Sequence, residues 1–302
     1  VPKIRYLSKK FNTASLALIG HANQIIADYT AQGYVLTLRQ LYYQFVSRDL
    51  LANTQQNYKR LGSIVNDARL AGLIDWHAIE DRTRNLASLA SWTGPDSIIA
   101  SCAQQFRIDM WARQDYRPEV WIEKEALAGV FERVCNGLRV PYLSCRGYTS
   151  QSEMWGAGQR LLRYTKGNQT PIIFHFGDHD PSGIDMTRDI EDRLELFLGD
   201  TVQLKRLALN MDQVEEHEPP PNPAKTTDSR YAAYIASYGD ESWELDALDP
   251  TILSGLVRDA IEQIIVDDVW AEDKATEEEH KRLLGWASNN WKRITEEERN
   301  GE

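Results

Sequence analysis

At 302 residues the chain is longer than one hydrophobic core usually organises, so at least two domains are expected. With 42% apolar and 10% aromatic side chains it is neither a disordered nor a collagen-like polymer. The net charge of −11 argues against a generic polyanion binder, because nucleic-acid affinity rests on Lys and Arg neutralising phosphates. That charge is divided, however: residues 1–118 hold 14 basic and 9 acidic side chains, and the other 184 residues hold 20 and 36. Such asymmetry points to a division of labour between a basic and an acidic part. Cys102, Cys135 and Cys145 are odd in number and far apart with no CxxC, which argues against a zinc site or a disulfide framework. The segment VPKIRYLSKKFN has no signal-peptide core and no run reaches membrane-spanning length, so a cytoplasmic protein without membrane contact is expected.

In chain order, apolar residues recur at helical spacing from Ser15 to Tyr29, with Asn12 or Thr13 as cap and Gly33 just past the end. A second helix is expected after the cap candidate Thr37, through LRQLYYQFVSRDLL, and a third through TQQNYKRLGSIVNDARLAGL. The alternating segment LIDWHAI then reads as a strand, followed by the basic tip EDRTR. Three helices, a strand and a basic tip follow the order of a winged helix-turn-helix, and equally that of a small three-helix bundle. Asn85 to Arg117 is poorly periodic and reads as a connector.

Beyond it the pattern changes. Strands are expected at 119–122, 140–143, 171–176 and 202–209, and helices at 126–138, 151–164 and 182–198. This alternation is that of an α/β domain with a parallel sheet. The loop EPPPNPAKTTDSR resists regular structure because of its prolines. Helix is expected again from Pro250 to Val266, and in a charged tail from Ala271, where the Glu277–Glu279 and Glu296–Glu298 runs read as solvated faces.

Three places carry candidate chemistry. In FGDHDPSG, at the carboxyl end of the third α/β strand, Asp178 and Asp180 point one way and His179 the other if the backbone is extended. Two carboxylates on one edge suit Mg²⁺; a capped turn into the following helix is the plainer reading. Glu123, directly after the first strand, falls at the same edge, and three clustered carboxylates call for a cation between them, unless Glu123 and Lys124 simply pair. Asp185, one turn on, is either a further ligand or an ordinary helix residue. In the basic part, Tyr42 and Tyr43 lie about 100° apart on a helix, so only one is expected on the buried face. Arg39 lies beside Tyr43 at i−4. A phenol next to a guanidinium suits nucleophilic attack on a phosphate, since the positive charge favours phenolate and grips the phosphate. Core packing with a satisfied hydroxyl is the alternative.

These elements occur in one order. TLRQLYY resembles the tyrosine motif of the A subunit of type IIB topoisomerases (topoisomerase VI) and its meiotic double-strand-break relatives. WIEKEAL and FGDHDPSGIDM resemble the family's Toprim motifs, CRGY its loop after the second Toprim strand, and ELDALDP a late family segment. The resemblance spans about Tyr34 to Ile265. It implies a winged-helix domain at 1–112, a Toprim domain with a Rossmann-like parallel sheet at 113–270 and a helical tail at 271–302. It implies that Tyr43 attacks double-stranded DNA to form a 5′-phosphotyrosyl bond, while Glu123, Asp178 and Asp180 hold Mg²⁺. Arg39 enters as electrostatic helper from the residues themselves. A homodimer is implied, with the tyrosine of one protomer working at the Toprim site of the other. A separate ATPase (B-type) subunit and a nucleoid location fit the same picture. The chain looks like a short, stand-alone version of the A subunit. Two alternatives stand beside it: a Toprim nuclease that uses water, and a non-enzymatic winged-helix DNA-binding protein.

Overall fold

The computed structural model describes residues 3–79, 89–200 and 202–300, with side chains described up to residue 296. It comprises two compact units, one of residues 1–84 with 118–261 and one of 85–117 with 262–302.

The first unit begins with three helices, α1 (Thr13–Ala31), α2 (Leu38–Ser47) and α3 (Gln55–Leu70). Each starts where a short polar side chain satisfies an orphan amide. Asn12 accepts from Ser15 N, Thr37 and Gln40 form a reciprocal capping box, and Thr54 accepts from Asn57 N. Their apolar faces meet in one cluster around Ile25, Leu41, Phe45, Leu61 and Val65. Full burial of each such side chain contributes about 1.5–3 kcal/mol. Helix α2 stops at Ser47, short of the expected Leu51, and Asp49 adopts a left-handed φ of 55°.

The expected strand at 73–79 does not form. Asp75 accepts from His77 N at 2.8 Å, and this local turn interrupts the alternation, leaving a single bridge between Leu36 and Ile79. The basic tip EDRTR lies outside the described residues. A three-helix arrangement is therefore what the described residues define.

The α/β part follows the expected alternation. It comprises β1 (Tyr116–Ile122), a 3₁₀ turn (Glu125–Leu127), α5 (Ala128–Gly137), β2 (Tyr142–Ser144), α6 (Gln151–Lys166), β3 (Thr170–Phe176), α7 (Pro181–Leu198) and β4 (Gln203–Ala208). The strands form one parallel sheet in the order β2-β1-β3-β4. Side-chain alternation along β3 sends Ile173 and His175 towards α6 and α7, where Trp121, Met154, Leu161 and Leu194 complete a core. On the other face Phe176 meets Phe131 of α5 at 4.7 Å between ring centroids. Buried Glu119 is matched by two hydrogen bonds from Arg160.

The chain then forms α8 (Met211–His217), β5 (Asn222–Pro223), α9 (Tyr231–Tyr238), β6 (Glu241–Ser242), a 3₁₀ turn (Leu245–Ala247) and α10 (Pro250–Glu262). The proline-rich loop manages only the two-residue antiparallel pair β5–β6.

The second unit corrects two expectations. The supposed connector contains α4 (Pro95–Gln105), which starts with Pro at its first turn, Asp96 near its amino end and Ser97 bonding back to Gly94 N. The tail is α11 (Asp267–Asn289) and α12 (Trp291–Asn300). Glu277 is buried in place of the expected solvated position, accepting from Ile108 N and Lys281. Among the described residues no helix is long and apolar enough to cross a membrane.

Candidate active site

The candidate site lies where α2 meets the Leu245–Ala247 turn and the carboxyl ends of β1 and β3. Lys124, the residue after Glu123, is its centre. Its ammonium lies 2.9 Å from Asp178 Oδ1, 3.0 Å from Glu244 Oε2 and 2.9 Å from Asp246 Oδ1. Burial works against this charge, but Asp246, Asp178 and Glu244 outweigh it and raise the Lys124 pKa.

Arg39 reaches the same group. It pairs with Glu244 and places Nε 2.9 Å from Asp246 Oδ2. The Tyr43 hydroxyl donates to Glu244 Oε2 at 2.9 Å, and the Arg39 guanidinium lies 5.8 Å from the Tyr43 ring centroid. Both tyrosines of the pair are buried, contrary to the expectation of one. Tyr42 faces the helical core and donates to the Thr54 carbonyl, while Tyr43, on the next face, is covered by the Glu244–Ala247 segment some 200 residues away. The sequence also suggested that Arg39 would favour the phenolate. Instead burial, Asp246 and Glu244 raise the Tyr43 pKa and outweigh Arg39. Glu244, pulled up by burial but held by Lys124 and Arg39, sits at about 2.

The three predicted carboxylates gather at the sheet edge, and Asp180 Oδ2 also lies 3.9 Å from Lys225 Nζ. Glu123 Oε2 accepts from Asp178 N at 2.8 Å. Asp178 Oδ1 accepts from Leu245 N at 2.7 Å as well as from Lys124. Asp180 Oδ1 caps α7, accepting from Gly183 N and Ser182 Oγ, so the plainer reading of this aspartate also holds. Gly183 is required there, since a Cβ on it would lie 2.2 Å from the Asp178 carbonyl oxygen. Burial first, and then the neighbouring Asp180, raises the Glu123 pKa against the opposing Asp178 amide. Burial raises Asp178 to about 7, with Lys124 opposing and Glu123 reinforcing.

Arg206, from β4, closes the edge from below. Its guanidinium donates to the carbonyls of Gly177, Asp178 and Gly183 and to Thr187, and burial lowers its pKa to about 10. His179 turns away into an aromatic cluster with Tyr234, Tyr238 and Trp243. Asp185 binds Tyr148 Oη at 2.7 Å and Arg230 at 2.7 Å, an ordinary paired helix residue.

Among the described residues no group of three or more His, Cys, Asp or Glu is arranged to hold a metal ion as it stands. The cation against Asp178 is Lys124. The donor chemistry nonetheless fits a hard divalent ion. Glu123, Asp178, Asp180, Glu244 and Asp246 offer five carboxylates against the four cations Lys124, Arg39, Arg206 and Lys225, the last 3.9 Å from Asp180 Oδ2, an all-oxygen set with an excess of one negative charge. Lys124, Glu244, Asp246 and Arg206 were missed as site residues. A lysine following a strand-end glutamate, an arginine within the strand QLKRLA and the paired acids of ELDALDP were the available signals. No protein-family model matches the chain, and no curated protein matches it.

Proposed function

We propose that this chain is a metal-dependent DNA-cleaving enzyme of the type IIB topoisomerase A-subunit kind. In this reading Tyr43 is the nucleophile, Arg39 its electrostatic partner, and Glu123, Asp178 and Asp180 the Mg²⁺ ligands. The observation that carries it is the shared acceptor of Tyr43 and Lys124: both donate to Glu244 Oε2, and Lys124 also touches Asp178. Tyrosine helix and carboxylate edge, 135 positions apart from Tyr43 to Asp178, thus belong to one polar cluster. Mg²⁺, when bound, would stabilise charge developing on the reacting phosphate and the leaving oxygen. Arg39 and Lys124 neutralise phosphate oxygens. Tyr43 Oη forms the bond to phosphorus and gives up its proton, the P–O3′ bond breaks, and the 3′ oxygen takes up a proton. The substrate is double-stranded DNA, cut by a homodimer, with a separate ATPase subunit where strand passage occurs. Because Tyr43, Lys124 and Asp178 of one chain share this cluster, the tyrosine in this reading works at its own chain's carboxylate edge and not at its partner's, as the resemblance had implied.

One observation favours a second reading, in which water is the nucleophile at a Toprim-type nuclease site. Tyr43 is buried and donates to Glu244, and burial, Asp246 and Glu244 raise its pKa. Incubation of supercoiled DNA with Mg²⁺, followed by denaturant quenching, separates the two. Covalent protein on 5′ ends, lost in Tyr43→Phe, supports the tyrosine mechanism. Undiminished cutting by Tyr43→Phe together with inactive Asp178→Ala overturns it in favour of hydrolysis.

A further inference from the structure

A single carboxylate oxygen collects three donors. Glu244 Oε2 accepts from the Arg39 guanidinium, from Tyr43 Oη at 2.9 Å and from Lys124 Nζ at 3.0 Å. A guanidinium, an ammonium and a hydroxyl converging on one point form the donor set that binds a phosphate oxygen. The two acids of this segment differ in how firmly they are held. Asp246 is wholly buried, and it bridges Lys124 and Arg39 from beneath at 2.9 Å each. The Glu244 side chain retains 28% exposure and lines a cavity of about 300 Å³ with Arg39, Tyr43, Asn53, Gln55 and Tyr58. Asp246 therefore orders the two cations, while Glu244 stands on their open side and is the exchangeable partner. The cavity beyond it has aromatic faces and amides, suited to the sugar and base flanking a phosphate.

We propose that Arg39, Tyr43 and Lys124 form a phosphodiester-binding site, and that Glu244 occupies it in the resting chain as an internal competitor that DNA displaces. This deepens the reading of the chain as a DNA-cleaving enzyme and rests on it for the nature of the ligand. It also gives the Tyr43–Glu244 hydrogen bond a role: the carboxylate that accepts from the tyrosine stands where the phosphate must enter. Displacement brings the phosphate to Tyr43 Oη in the act of releasing that oxygen from Glu244.

The test is binding without divalent metal, so that no cleavage intervenes. A fluorescent duplex of about 20 base pairs is titrated with the full chain as wild type and as Glu244→Gln, which keeps the volume and removes the charge. Removing a competitor raises apparent affinity by the factor through which it depopulated the open site. Glu244→Gln is expected to bind about fivefold or more tighter, with a salt slope steeper by about one released counterion. The gain is expected to vanish in Arg39→Gln/Glu244→Gln. Glu244→Asp, whose shorter side chain withdraws the carboxylate, gives a smaller gain of the same sign and serves if Glu244→Gln does not fold. In parallel, pyrophosphate is expected to raise the melting temperature of Glu244→Gln more than that of wild type. A pyrophosphate response without duplex binding keeps the anion site and overturns its assignment to DNA. Unchanged duplex affinity and unchanged pyrophosphate response in a folded variant overturn the proposal, while covalent capture by Tyr43 remains judged by its own assay.

Discussion

Replacing Lys124 by methionine probes the cluster most directly. The substitution keeps an unbranched side chain of similar length and removes the one ammonium that touches Asp178, Glu244 and Asp246. Deleting one partner of a buried ion pair typically costs about 3–5 kcal/mol, because the remaining charge stays desolvated. Here Asp246 is fully buried and Asp178 nearly so, whereas Glu244 is 28% exposed and adds little. Arg39 still pairs with Glu244 and Asp246 in the variant, which places the expected loss at the low end, about 3 kcal/mol at pH 7.5. For a chain of 302 residues that is a fall in melting temperature of roughly 5 °C. The deficit has a characteristic pH dependence. Without Lys124 the buried carboxylates favour their neutral forms, so their folded-state pKa values rise above the unfolded ones. A raised folded pKa stabilises at low pH and loses that contribution as pH rises through it. The gap between variant and wild type therefore narrows as pH is lowered from 7.5 to 5.5. Urea unfolding of both proteins across that range, followed by circular dichroism, measures it. A deficit under about 1 kcal/mol, or one that stays constant with pH, would refute the view that Lys124 is the cluster's principal cation.

Two glycines should respond with opposite sign. Gly183→Ala drives a methyl group into the Asp178 carbonyl and is expected to destabilise by about 1–3 kcal/mol, whereas Gly156→Ala, in α6 with open space around its Cβ position, is expected to stabilise by about 0.5–1 kcal/mol; thermal melts check both. Burial lowers His175 to about 3 and His179 to about 4, so both imidazoles are expected to remain neutral at pH 5.5, which nitrogen chemical shifts can verify. Since the unfolded chain takes up those protons near pH 6.5, each histidine removes about 1.4 kcal/mol of stability per pH unit below that value until its folded pKa is reached. Asp178, held up to about 7, contributes in the opposite direction, its share being lost as pH rises from the ordinary carboxylate range through 7.

Much of the fold was legible locally. Asn12, Thr37 and Thr54 begin their helices through bonds to amides three residues on, and the strands at 119–122 and 171–176 are mostly apolar runs of the buried parallel kind, Glu119 and His175 excepted. Where reading failed, a neighbour in space or a short polar contact had overruled the pattern. Asp75 broke the alternation at 73–79, and the weakly amphipathic Pro95–Gln105 segment became helical in the company of α11.

The candidate site divides along the same line. From sequence alone the strand-end positions of Glu123, Asp178 and Asp180 and the helical pairing of Arg39 with Tyr43 follow, because strand termini and i, i+4 spacing are properties of short segments. Only the tertiary structure decided that the 244–247 turn buries Tyr43, that Lys124 serves three carboxylates at once, and that Glu244 stands between the tyrosine and the sheet edge. Those relations depend on loop closures of about 120 to 200 residues, and on desolvation that raises or lowers proton affinities according to what lies within a few ångströms. The overall charge of −11 likewise set no limit on the site, where the balance of five carboxylates against four cations is a matter of convergence in space.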